Sequence, residues 1–396
     1  MRSVERRLGA GAVLAAALAL ACGGDGGGGL PDTGRNVVPV SADGALCGGN
    51  PGTYVNEPCV RVTVCSPGTQ TCQTIDDVLL DTGSFGLRIF KQVLTVPLAS
   101  ISAGSGELAE CVHFGDLSAS WGPVRLAGVI LGGEPAVEVP VHVIDATFSG
   151  RPPSCSNPDT DPASAGFNGI LGVGAFAEDC GGACAASSNT GIYFACSGGS
   201  CSGAAVPVGQ QVKNPVAALP QDNNGVVVKL PSVAAGGAPS ADGTLVLGIG
   251  TAQDNAPGAV SVLDLDGSGE FRTSLAGKSF SSFADTGSNA LFFDPPGGVS
   301  LPVCASNPDW FCPPSAASLS ATNSGASGRG SAAVAFQVAS FDQLDKANNA
   351  VFPTLAGPGL GSGEFDWGLP FFLGRAVYVG LEGRSSPLGT GPYVAH

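Results

Sequence analysis

Val60-Arg61-Val62-Thr63-Val64 alternates apolar and polar residues one by one, the period of a strand with one buried face. The turn signal Ser66-Pro67-Gly68 follows, bracketed by Cys65 and Cys72, so a stapled hairpin is predicted there. The next apolar run, Val78-Leu79-Leu80, leads into Asp81, and Phe85 to Phe90 resumes the pattern beyond it. Val124 to Leu131 reads as a further strand closed by Gly132-Gly133, and residues 167–174 as a short apolar strand framed by glycines. A loop-rich, cysteine-containing stretch over 176–224 comes next. A second series then begins with Val226-Val227-Val228 and residues 243–248. It continues through a hairpin near Asp264 and Phe283-Ala284 to a last block from Phe365 to Leu381. Strand, small-residue turn and apolar segment closed by glycine therefore occur in that order twice. The pattern predicts an all-β protein of two duplicated lobes, over 37–222 and 223–396, and not a solenoid, because two units do not make an array.

Composition agrees with many short strands joined by turns: 61 glycines and 30 prolines in 396 residues are too many for a helical protein. A formal charge of −15, from 17 basic and 32 acidic residues, leaves no basic stripe for nucleic acid. At the N-terminus, Arg2, Arg6 and Arg7 precede an apolar stretch from Leu8 to Leu20, too short to span a bilayer comfortably. It ends Leu18-Ala19-Leu20-Ala21-Cys22 before a glycine-rich tract. This resembles a bacterial lipoprotein signal over 1–22, with Cys22 lipidated, residues 23–36 as a flexible tether and the outer membrane as the anchor. The alternative is ordinary signal cleavage after Ala21. Of the 13 cysteines, those other than Cys22 form an even set suited to disulfides in an oxidising compartment. Cys65 with Cys72, Cys180 with Cys184, Cys196 with Cys201, and Cys304 with Cys312 are near enough for local bridges. The pairing of Cys47, Cys59, Cys111 and Cys155 stays open.

The candidate chemistry lies in a duplication. Asp81-Thr82-Gly83-Ser84 recurs as Asp285-Thr286-Gly287-Ser288, each copy following an apolar run. Two such turns meeting face to face would bring two carboxyl groups within hydrogen-bonding distance. They would share one proton, because adjacent like charges cannot both ionise cheaply. One ionised and one protonated carboxyl can activate water and donate to a carbonyl oxygen, which is acid–base hydrolysis of an amide. Aspartates on glycine turns also accept backbone hydrogen bonds with no further role, and the symmetry of the two copies argues against that reading.

With these motifs in the same order, the chain resembles a pepsin-like aspartic peptidase. Asn168-Gly169-Ile170-Leu171-Gly172 is similar to that family's segment beside its first aspartate, and residues 243–250 to the strand that opens its second lobe. The block 368–379 is similar to its final strand pair. The resemblance implies a bilobal fold with Asp81 and Asp285 as catalytic pair, Thr82 and Thr286 cross-bracing the loops, and Gly83 and Gly287 allowing close approach. Ser84 and Ser288 would hold the outer carboxylate oxygens. The glycine passing beside Asp285 is Gly368 or Gly374. Two positions depart from the family pattern: Arg88 stands in place of a tryptophan, and Phe114-Gly115 stands at the tip of the substrate-covering flap, where the family has a tyrosine. The chain is also similar to a family of uncharacterised proteobacterial lipoproteins, which implies no activity.

Other signals are weaker. Asp264-Leu265-Asp266-Gly267-Ser268-Gly269-Glu270 resembles the start of a calcium loop, but Leu275 stands where the closing glutamate belongs, and it reads as an acidic turn. Gly277-Lys278-Ser279 lacks the first glycine of a phosphate loop. His113, His142 and His396 have no metal spacing, and no G-x-S-x-G elbow occurs. The expected protein is a lipid-anchored monomeric aspartic peptidase without metal or cofactor, acting on an extended peptide or protein substrate and not on nucleic acid. The alternative is a non-catalytic surface module that uses the same fold to bind a partner.

Overall fold

The computed structural model describes residues 34–48, 54–359, 361 and 363–396. The signal segment, Cys22 and most of the tether lie outside the described residues. Within them the protein is all-β, with no helix longer than the five residues Gly182–Ala186. No described helix is long and apolar enough to cross a membrane. The strands form a 17-stranded sheet, a 7-stranded sheet and a 2-stranded ribbon among the described residues.

Pro58–Cys65 and Cys72–Asp81 form the expected hairpin, closed by the Cys65–Cys72 disulfide. Each alternates buried and exposed positions near the turn and becomes continuously buried toward its other end, so that Val78, Leu79 and Leu80 are fully enclosed. Gly169–Val173 runs parallel to Cys72–Asp81 and antiparallel to Phe85–Phe90, a position buried on both faces, which explains its unbroken apolar run. The large sheet joins distant parts of the chain. Val37–Ala42 pairs along its whole length with Ala241–Leu247, and Gly225–Lys229 lies between that strand and Ala376–Gly380.

The 7-stranded sheet is built from residues 271–367 and repeats one local arrangement of the large one. Glu364–Trp367 runs parallel to Lys278–Ala284 and antiparallel to Leu291–Phe293. Its core is aromatic: Phe293 stacks on Phe365 at 4.5 Å, and Phe365 on Trp367 at 4.3 Å. Fully enclosing each such ring contributes about 1.5–3 kcal/mol.

The four local disulfides expected from spacing are formed, and the open set resolves as Cys47–Cys59 and Cys111–Cys155. The expected hairpin near Asp264 is different. Val262–Asp264 pairs with the C-terminal strand Tyr393–Ala395, whereas Phe271–Leu275 pairs with Lys278–Ala284. The acidic turn between them is held by Asp266 Oδ1, which accepts the N–H groups of Ser268 and Glu270. The cysteine-rich stretch is less irregular than its composition implies. Tyr193–Ser197 adds to the edge of Gly106–His113, and the Cys111–Cys155 disulfide ties that strand to the segment around Cys155.

Candidate active site

Both D-T-G-S tetrapeptides leave the ends of buried strands and meet. The threonines tie them together reciprocally. Thr82 Oγ1 donates to the Ala284 carbonyl at 2.8 Å and accepts the Thr286 N–H at 3.0 Å. Thr286 Oγ1 donates to the Leu80 carbonyl at 2.7 Å and accepts the Thr82 N–H at 3.0 Å. Each hydroxyl thus satisfies two backbone groups of the opposite loop, all of them buried.

This brace presses the carboxyls together. A Cβ on Gly83 would lie 2.6 Å from Asp285 Cγ, and one on Gly287 would lie 2.8 Å from Asp81 Cγ. Only glycine fits between loop and carboxylate at these two places. Within each loop the aspartate is fixed by its own neighbours. Asp81 Oδ1 accepts the Gly83 N–H at 2.7 Å, and Asp81 Oδ2 accepts the Ser84 hydroxyl at 2.6 Å. Asp285 repeats the pattern with the Gly287 N–H at 2.7 Å and the Ser288 hydroxyl at 2.8 Å. Asp81 is 3% exposed and Asp285 half-buried. Burial, the charge of Asp285 and the hydrogen bond between the two side chains hold the Asp81 carboxyl well above the usual carboxylate range.

The pair lines a cavity of about 390 Å³. Its roof is the turn of the hairpin between Gly106–His113 and Ala119–Ile130, which carries Phe114 and Gly115. Phe114 packs against the cluster of Leu79, Phe90, Ile144, Phe167 and Ile170, so the turn rests on the core beneath the first loop. Leu117, at its outer edge, is 80% exposed. On the other side, Gly172 lies in register with Asp81. Gly368 is its counterpart at the second loop: a Cβ there would meet the Ser288 and Ala290 carbonyls at 2.6 and 2.1 Å, whereas Gly374 sits against Ser232.

Arg88 is buried under the cavity wall in a charged network that the sequence gives no spacing for. Its guanidinium contacts Glu110 at 2.8 Å, Asp179 at 3.1 Å and the Phe85 carbonyl at 2.7 Å. Tyr193 donates to Asp179 at 2.6 Å, and His142 Nδ1 lies 3.1 Å from Glu110. Burial opposes the Arg88 charge, but Glu110 and Asp179 outweigh it and keep the guanidinium protonated. Burial also pulls Glu110 toward its neutral form, and it lowers His142 well below the ordinary histidine range. His142 is a neutral core histidine, and His113 is exposed on the roof strand.

Among the described residues, the two groups with metal-ligand proximity each contain a disulfide-bonded cysteine pair, Cys47–Cys59 and Cys304–Cys312. Their sulfurs are not thiolates, so neither is a metal centre.

These loops define a two-carboxyl site in a cavity of an all-β protein. The chain belongs to the family described as protein of unknown function (DUF3443), whose profile matches residues 32–396. No curated protein matches it.

Proposed function

We propose that the protein is a pepsin-like aspartic peptidase of two duplicated β lobes, with Asp81 and Asp285 as its catalytic pair. The observation that carries this reading is the reciprocal threonine brace, which holds two carboxyl groups side by side in the cavity. Acids with a raised proton affinity gathered in a cavity are characteristic of functional sites. The matching strand arrangements behind the two loops support the lobes as copies of one another. In the proposed reaction, water adds to a peptide carbonyl carbon while its proton passes to the ionised carboxylate. The neutral partner gives its proton to the carbonyl oxygen. Collapse of the resulting diol protonates the nitrogen and breaks the C–N bond, leaving an acid and an amine. An extended segment lying under the Phe114–Gly115 turn is the substrate form that suits the cavity. Cys22 anchors the protein by lipid to the outer membrane, where it acts as a monomer.

A second reading, a binding module in the same fold, draws on Phe114 and Arg88. Phe114 has no hydroxyl to donate from the roof, and Arg88 is committed to Glu110 and Asp179. The full chain in detergent, incubated with peptide mixtures from acid to neutral pH, separates the two. The enzyme cleaves best in acid, is titrated by a statine-type inhibitor, and loses about a thousandfold or more in kcat with Asp81→Asn or Asp285→Asn. Cleavage that survives either substitution removes the assignment.

A further inference from the structure

Asp366 is the middle of three successive buried side chains, Phe365, Asp366 and Trp367, on the strand beside the second loop. It pairs with Phe283 on one side and Phe292 on the other, and the next residue, Trp367, accepts the Asp285 N–H at 3.0 Å. Phe365 and Trp367 stack into the core, so strand alternation turns Asp366 to the other face, where it lines the cavity with the two catalytic candidates. It is 3% exposed, and neither carboxyl oxygen has a hydrogen-bond partner.

The groups that face it are the Asp285 and Asp81 carboxyls and the Ser288 hydroxyl. Burial first, then the charge of Asp285, hold the Asp366 carboxyl well above the usual carboxylate range, and the nearby Ser288 hydroxyl only partly offsets them. An ionised carboxylate here would leave two bare oxygens beside two other acids, whereas a carboxylic acid needs only one acceptor. Ser288 supplies it: its single hydrogen goes to Asp285 Oδ2 at 2.8 Å, and its lone pairs remain.

We propose that Asp366 is a positioning residue of this site: its carboxyl O–H donates to Ser288 Oγ, and Ser288 in turn donates to Asp285 Oδ2. Its meaning for catalysis rests on the peptidase reading, but the hydrogen-bond chain does not. Three carboxyls then carry two protons, one shared by the pair and one held by Asp366. The donor behind Ser288 polarises its O–H and strengthens its bond to Asp285. The first loop has no equivalent, since Ile170 stands two residues before Gly172 as Asp366 stands two before Gly368.

The test is a carboxyl titration of the full chain, disulfides intact, labelled with carbon-13 at the aspartate carboxyls. Wild type is expected to keep one more protonated aspartate near neutral pH than Asp366→Asn or Asp366→Val. An unchanged number of protonated aspartates in Asp366→Asn overturns the proposal. In a cleavage assay, Asp366→Val is expected to lower kcat about tenfold or more with little change in KM. Asp366→Asn, whose amide still donates, restores most of it. Equal losses in the two variants, or an effect on KM alone, also overturn it. A wild type that cleaves nothing but shows the extra proton defeats the peptidase reading and leaves the chain from Asp366 to Asp285 standing.

Discussion

The Asp81 and Asp285 loops carry the same four residues and matching hydrogen bonds, yet the protein backs them with opposite materials. Behind Asp81 lies a polar network, Arg88 with Glu110, Asp179, Tyr193 and His142. Behind Asp285 lie stacked aromatic rings, with the Asp366 acid on the opposite, cavity-facing side of the same strand. From the N-terminal side, Tyr54 also donates to the Gly287 carbonyl at 3.0 Å and Asn56 to the Asn289 carbonyl at 2.7 Å. The tetrapeptide and the threonine brace set the geometry. The backing sets the electrostatics, and it differs between two loops whose local shape is the same.

The most forceful way to break this comparison is Arg88→Met. It leaves Glu110 and Asp179 buried without their cation, and a loss of about 3–5 kcal/mol in chemical denaturation is expected. A loss below about 1 kcal/mol would mean that the network is not what supports the first loop. Next in size, Thr82→Val and Thr286→Val should cost about 1–3 kcal/mol each, and by similar amounts, because each hydroxyl serves two buried backbone groups. A clear inequality would show that the unequal backing reaches the brace itself. A double-mutant cycle should also show coupling between the two sites.

The smallest expected effect concerns pH. Asp81 has a raised affinity for its proton in the folded state, so its contribution to stability is full below the unfolded carboxylate pKa. That contribution falls as pH rises through the folded value. Asp81→Asn removes this loss. Its melting temperature should exceed that of wild type near pH 7, by on the order of 1 kcal/mol of stability, and the gain should vanish toward about pH 4. A gain independent of pH would show that Asp81 does not carry the raised affinity.

How much of this was readable in the sequence depends on distance along the chain. The tetrapeptides, the hairpin at Cys65 and the four short-range disulfides are local, and local pattern reveals them. Glu110, His142, Asp179 and Tyr193 come from separate strands and a loop, so no spacing unites them, and only the fold brings them to Arg88. Cys111–Cys155 is hidden for the same reason. The hairpin expected near Asp264 does not form because the strand there pairs with the end of the chain, and alternation reports that a strand exists and not what it pairs with. Asp366 did leave a signal: one acid enclosed by Phe365 and Trp367 inside an apolar block is a buried charge, or a neutral acid, in plain view.

The pairing of Val37–Ala42 with Ala241–Leu247 has a consequence for biosynthesis. A chain emerging from its N-terminus presents that first strand with one edge unclaimed until most of the polypeptide has followed. Assembly of the large sheet is therefore governed by contacts of high sequence separation, which fold slowly and expose strand edges meanwhile. Closure of this sheet waits until residues 241–247 are available to the first strand.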